Sequence, residues 1–576
     1  MNSKTAKSIN KAPVKSDMKS SPYSKPVSSK PTLSKPVVAE KKVINSPTNA
    51  NVQMQMQLPM QMNMQTQNYI GAPLQIMSSI IPISSGKYDD DEFIDEQVKA
   101  VTSDKMSVKQ DKIVINPDEA FQISLKTKHS TLQLNSASST VEPVLFTLKA
   151  LEAKGEAKVP LDLVCVLDTS GSMGGEKIIL LRETLKYLVD LLGENDRMSI
   201  VQFSSSARRI LPLKKVSDAN KPEILQAINS LNAGGGTSIT AGMTQAFRVL
   251  NERKYKNPVS SIFLLSDGLD GAATMGVKGQ IAQFSKLDNY TIHSFGYGSD
   301  HDPNLMGTIA KYKDGNFYFV EKLETVDECF VDAIGGLISV VGQDVTITIQ
   351  PVKSEIFPNL EFKKAFGGAD LWKTVDGTYS TGISQLPSGK SKNYILELTI
   401  PKTSKSVTDQ QREVVLAKAI VTVRIPNSME VWKKECELTV SLMNEEEELQ
   451  LQVADKDVLN NYYRVRSAEI MMEARGLAEN GDYEGGRKLL QNFKEELSKS
   501  AVKEEAMVVG LLEDIEITIQ EMQPRVYEAV GKHRLVQQMA SHMEEKSNPF
   551  NKNSANLYSN SVQQVMVSKA KAKKMQ

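Results

Sequence analysis

Cysteine is scarce in this chain of 576 residues: Cys165, Cys329 and Cys436 are the whole supply. The number is odd, the three lie far apart, and no C-x-x-C occurs. That pattern argues against both a disulfide framework and a zinc module. An excess of one charge is missing too, since 69 Lys and Arg balance 69 Asp and Glu to a net of +0. No global field steers the chain towards nucleic acid or a membrane surface. Long apolar runs are also wanting. Tyr69 to Ser85 is the most apolar early stretch, but Pro73, Gln75 and Pro82 interrupt it, and a membrane span needs about 20 consecutive apolar residues. The opening MNSKTAKSINKAPVKSDMKSS has no apolar centre and is not a secretory signal. These absences predict a soluble protein in the cytoplasm. The length leaves room for two or three domains.

What is present divides the chain by composition. Residues 1–110 read as a disordered tail: lysine, serine and proline dominate to Lys42, with S-K-P at Ser24, Ser29 and Ser34, and a Met/Gln tract runs from Met54 to Gln67. Such a segment buries too little apolar surface to offset its ordering entropy. Its lysine-rich arm offers a contact for an acidic partner surface. Short strand patterns follow in 111–155, at Lys112–Ile115, Phe121–Leu125, Thr131–Leu134 and Val144–Leu148. They need a partner sheet, because strands this short do not stand alone. The partner is expected in 343–444, where Asp344–Pro351, Tyr394–Ile400, Val415–Ile425 and Trp432–Leu442 alternate apolar and polar. Residues 445–546 turn helical, with Asp482 as an N-cap after Asn480-Gly481. One such hairpin is not a repeat array, so it reads as a helical lid or brace on the sandwich. Residues 547–576 read as a flexible tail ending on Lys569, Lys571, Lys573 and Lys574.

Between these blocks, 156–342 alternates strand and helix, which predicts a doubly wound, mostly parallel α/β sheet inserted in a β-sandwich. Its first strand, Leu161–Asp168, is an apolar run without period-2 alternation, as a strand covered on both faces should be. The run stops on Asp168, then Ser170 and Ser172 in a turn opened by Gly171. A second buried strand, Ser260–Ser266, stops on Asp267, and between the two lies Gly234-Gly235-Gly236-Thr237. A strand order 3-2-1-4-5-6 would set Asp168 and Asp267 beside the crevice where ligands bind. Oxygen ligands delivered from loops in this way suit a hard cation. A P-loop is not available, because Gly174-Gly175-Glu176-Lys177 lacks GxxxxGK spacing.

Asp168-x-Ser170-x-Ser172, Thr237 and Asp267 together resemble the metal-ion-dependent adhesion site of von Willebrand factor A-type (VWA) domains. The resemblance implies a Mg²⁺ ion, with Mn²⁺ or Ca²⁺ as substitutes, and a protein partner that presents an Asp or Glu to it. It also implies that the last helix of the domain, Val326–Val340 here, can shift on ligation. The layout from 110 to 570 is similar to that of intracellular VWA proteins of plants and protists. Some of those carry a RING finger and act as ubiquitin ligases, but three cysteines cannot build its two zinc sites. His293 and Cys165 read as core, and His301 as a surface histidine near the site. The expected function is thus an intracellular adaptor or scaffold, not an enzyme. The alternative is a structural component of a cytoskeletal or ciliary assembly, with the metal site secondary or vestigial.

Overall fold

The computed structural model describes residues 116–574 except 153–157, 288, 322–325, 369, 427–429, 448–452 and 549–556. The expected tail over 1–110 and the strand Lys112–Ile115 lie outside the described residues. After a helical turn at Pro117–Ala120 come three strands, β1 (Phe121–Thr127), β2 (Thr131–Gln133) and β3 (Thr140–Ala150).

The central domain then runs β4 (Leu161–Asp168), α1 (Glu176–Leu191), β5 (Arg197–Phe203), β6 (Ala207–Lys215), α2 (Lys221–Asn229) and α3 (Ile239–Glu252). It continues with β7 (Val259–Ser266), α4 (Ala273–Gln283), β8 (Thr291–Tyr297), α5 (Pro303–Lys311), β9 (Phe317–Val320) and α6 (Val326–Ile338). The sheet order is β6-β5-β4-β7-β8-β9, parallel apart from the β5–β6 hairpin. This is the 3-2-1-4-5-6 order. Alternate residues of β4 serve two different cores: Leu161, Leu163, Cys165 and Leu167 pack on one face, Val164 and Val166 on the other. Burial on both faces is why the strand shows no polar alternation.

The remaining strands are β10 (Val340–Pro351), β11 (Glu361–Ala365), β12 (Lys373–Val375), β13 (Thr378–Pro387), β14 (Ser391–Ile400), β15 (Glu413–Arg424) and β16 (Val431–Met443). They form sheets ordered β1-β3-β14-β11 and β12-β13-β10-β15-β16-β2. One apolar core lies between the sheets, including Phe121, Phe146, Ile347, Leu398, Val421 and Leu438. Strands from before and after the central domain therefore complete each other's sheets, and the α/β domain is an insertion in a sandwich. β11, β12 and β13 were not anticipated: β12 is exposed throughout, and β13 carries Gly382 among polar residues.

Helices α7 (Lys456–Glu479), α8 (Tyr483–Ser498), α9 (Ala506–Glu521) and α10 (Lys532–Glu544) follow, and α11 (Ser561–Lys574) ends the described chain. Asp482 caps α8 by accepting from the Gly485 N–H at 2.8 Å. α7 lies on the four-stranded sheet, where Val458 and Val465 pack with Leu145 and Ile395, and buried Arg464 donates to the Asn393 carbonyl at 2.7 Å. The helical region is thus a brace. The chain end corrects an expectation. Far from being loose, α11 seats on α6, with the Gln563 amide donating to the Asp332 carbonyl and carboxylate at 2.8 and 3.0 Å. Val562 and Met566 join the central core, an apolar stripe hidden in the sequence by the surrounding lysines.

Candidate functional site

β4 and β7 are neighbours in register, Leu167 beside Leu265, so their carboxyl ends deliver Asp168, Ser266 and Asp267 to one place. All eight residues of each strand are buried, which fixes those ends rigidly. The loop after β4 is held twice. Met173 anchors its turn in the core, and the Gly171 N–H donates to the Gly235 carbonyl at 2.9 Å while the Gly234 N–H donates to the Thr169 carbonyl at 2.8 Å. Gly235 needs its glycine, since its φ of +87° lies in the left-handed region.

The hydrogen bonds chain the expected residues together. Asp168 Oδ1 accepts from the Ser170 N–H at 2.8 Å, the Ser170 and Ser172 hydroxyls lie 3.0 Å apart, and Ser172 donates to Asp267 Oδ1 at 2.8 Å. Thr237 arrives from the third loop, steadied where Asp270 accepts from the Ile239 N–H at 2.9 Å. A Cβ placed on Gly268 would stand 3.1 Å from Asp168 Oδ2 and 3.2 Å from Thr237 Oγ1. The bare glycine thus leaves a cradle in which that carboxylate and that hydroxyl converge. All five residues come together at one point, from three separate loops.

Two partners were not foreseen. The Ser266 hydroxyl donates to Asp168 Oδ2 at 2.5 Å and itself accepts from the Gly268 N–H at 3.0 Å. Lys177 Nζ donates to Asp267 Oδ2 at 2.5 Å and to Asp300 Oδ2 at 3.0 Å. The Ser-Asp-Gly sequence was the only sign of the first, and the second had none. Burial pushes the Asp168 carboxyl above its ordinary range, the bonds from Ser266 and Ser170 pull it back, and nearby Asp267 raises it further. The site therefore holds two buried carboxylates, of which Asp267 is met by the Lys177 ammonium, and a further cation would relieve the burial cost of a charged Asp168.

The residues fit a hard divalent ion by this chemistry. Their donors are oxygens, a cation already rests on Asp267, and the glycine cradle keeps space beside Asp168 and Thr237. Among the described residues, no group of three or more His, Cys, Asp or Glu is placed to hold a metal; the set here is two carboxylates and three hydroxyls.

His301, expected at the surface, is buried at 2 % exposure. Its ring lies against Gly296, where a Cβ would collide with it, and 4.6 Å from the His533 ring of α10. His533 Nε2 contacts the His301 carbonyl at 3.1 Å, so the helical region docks beside the site. Contacts between segments this far apart leave no periodic trace in sequence.

Residues 162–331 match the von Willebrand factor type A domain. The chain carries a VWA domain. Over 251 residues it is 30% identical to the E3 ubiquitin-protein ligase WAV3 of Arabidopsis thaliana, covering 43% of this chain and 32% of that one. The chain thus spans about a third of the length of that relative. A von Willebrand factor type A structure from Catenulispora acidiphila superposes with a TM-score of 0.54 at 16% identity, over 74% of this chain and 97% of that one. That likeness speaks to fold alone. VWA domains are generally non-catalytic interaction modules.

The cytoplasmic expectation is overturned. Most VWA relatives are extracellular or secreted, among them human inter-alpha-trypsin inhibitor heavy chain H2, 28% identical over 30% of this chain and 21% of that one. Scarce cysteine limits cross-linking without fixing a compartment: Cys165 and Cys329 are fully buried and serve as small apolar core residues. Among the described residues, no helix is long and apolar enough to cross a membrane.

Proposed function

We propose that this VWA domain is a metal-dependent protein-interaction module that binds an acidic side chain of a partner protein. Asp168, Ser170, Ser172, Thr237 and Asp267 would hold Mg²⁺, with Mn²⁺ or Ca²⁺ as substitutes. The observation that carries this reading is the convergence of two buried carboxylates and three hydroxyls, from three loops, at the ends of adjacent parallel strands. When bound, the ion supplies a Lewis-acidic position for a partner's Asp or Glu. Mg²⁺ keeps several waters and is held by few protein oxygens, which suits this donor set.

The chain's own residues supply the rest. Neutral hydroxyls leave much of the ion's charge uncompensated, so an incoming carboxylate is attracted. Ser266 and the Ser170 N–H fix the orientation of Asp168, and Ser172 fixes that of Asp267. The sandwich and helical brace give the site a rigid platform. WAV3 is an E3 ubiquitin-protein ligase of which this chain spans about a third, so its ligase activity is not carried over to this chain. Affinity purification with the full chain in Mg²⁺ and in EDTA tests the reading. Proteins retained in Mg²⁺ should be released by EDTA and should not be retained by Asp168→Ala. Capture indifferent to both would refute it.

A further inference from the structure

Lys177 is the second residue of α1, where the positive end of a helix disfavours a cation. Its ammonium stays there because Asp267 Oδ2 holds it at 2.5 Å and Asp300 Oδ2 at 3.0 Å. The two carboxylates differ: the Asp267 side chain is 0% exposed and that of Asp300 is 71% exposed. The other oxygen of Asp267 accepts from Ser172, one of the hydroxyls of the site. A cation of the protein's own therefore sits on a carboxylate that the divalent ion would also require. Asp300 stands ready as its second seat, in solvent, on the loop after β8.

We infer that Lys177 is a tethered competitor for the divalent ion, a role that rests on the metal-dependent reading above. Without the ion, its ammonium neutralises Asp267. On loading, the ammonium gives up Asp267 and pairs with Asp300. The intrinsic affinity of the oxygen cluster is thereby held down, so occupancy follows the ambient level of free metal. No covalent bond is made or broken in this exchange; two cations trade places around one carboxylate. Charges of +2 and +1 about 6 Å apart repel enough to weaken binding about tenfold even at the dielectric of water. The effect is larger in a partly buried site.

Isothermal titration of the full chain with Mn²⁺ provides the test. Lys177→Met should bind Mn²⁺ at least about tenfold more tightly than the wild type, by the same Coulomb arithmetic. Lys177→Gln, read in parallel, should agree, so misfolding of one variant leaves the test in force. Asp300→Asn removes the second seat and should bind more weakly, and its effect should shrink in the Lys177→Met background. Unchanged or weaker Mn²⁺ affinity in folded Lys177 variants overturns the inference while leaving the metal reading intact. No saturable uptake by either wild type or Lys177→Met overturns the metal reading itself.

Discussion

Alanine at position 268 would put a methyl group into the cradle. Gly268 does not use a left-handed backbone, so space alone decides the outcome. The new Cβ would stand 2.6 Å from Thr237 Cγ2, 3.1 Å from Asp168 Oδ2 and 3.2 Å from Thr237 Oγ1. Carbon atoms rest about 3.5–4.0 Å apart, so the Thr237 side chain must retreat by about 1 Å. Oxygen ligands to Mg²⁺ work near 2.0–2.1 Å with little tolerance, so a retreat of about that size takes Thr237 out of reach. Mn²⁺ affinity should then fall about 10–100-fold, the range seen when the supports of a metal site are disturbed. Overpacking should cost only about 1–3 kcal/mol of stability, leaving a folded protein to measure. The assay is Mn²⁺ titration calorimetry, with the thermal midpoint in EDTA as the folding control. Thr237→Val should show the same loss, and the double variant should be no worse than either, because both act through one hydroxyl. A folded Gly268→Ala protein that binds Mn²⁺ as tightly as the wild type refutes this reasoning.

Two further predictions concern the frame of the site. Asp162, at the opposite end of β4 from Asp168, accepts from Arg197 at 2.8 and 2.7 Å and from Arg253 at 2.6 Å, all three being buried. Asp162→Asn takes the shared carboxylate charge from two buried guanidiniums and should cost about 3–5 kcal/mol in urea denaturation, so an unchanged midpoint would contradict it. Burial lowers the pKa of His293 and of His301 to about 3, and lowers that of His533 as well. A histidine with a depressed folded pKa contributes stability that is present above its unfolded pKa, about 6.5, and lost as pH falls towards the folded value. His293 and His301 should each add about 1.4 kcal/mol per pH unit to the slope of stability below about pH 6.5, and His301→Phe should remove one such increment. A slope unaltered by that substitution would count against a neutral, buried His301.

How much of this was legible follows from where each contact lies. β4 and β7 could be placed from their apolar runs because both faces of each strand are buried, and an acid marks where the apolar run ends. The alternation of strand and helix indicated a doubly wound sheet, and the 3-2-1-4-5-6 order such a sheet can take sets Asp168 beside Asp267. The supports of the site were not legible. Ser266 reaches Asp168 from the end of the neighbouring strand, and Lys177 of α1 reaches Asp300 on the loop after β8, without any repeat or spacing to announce either. The His301–His533 contact is of the same kind: a docking of two distant segments, invisible to any local pattern. Likewise β12 and β13 are too polar to show alternation, and the apolar stripe of α11 is drowned by its lysines. Burial patterns carry the fold, whereas side-chain partners across loops carry the site.

The central claim is that oxygens from three loops hold one divalent ion. Titrating the full chain with Mn²⁺ measures this directly, against Asp168→Asn and Asp267→Asn. The account predicts a single saturable site in the wild type that each substitution abolishes or weakens steeply. Absence of saturable uptake by the folded wild type, or undiminished uptake by folded Asp168→Asn, would contradict it.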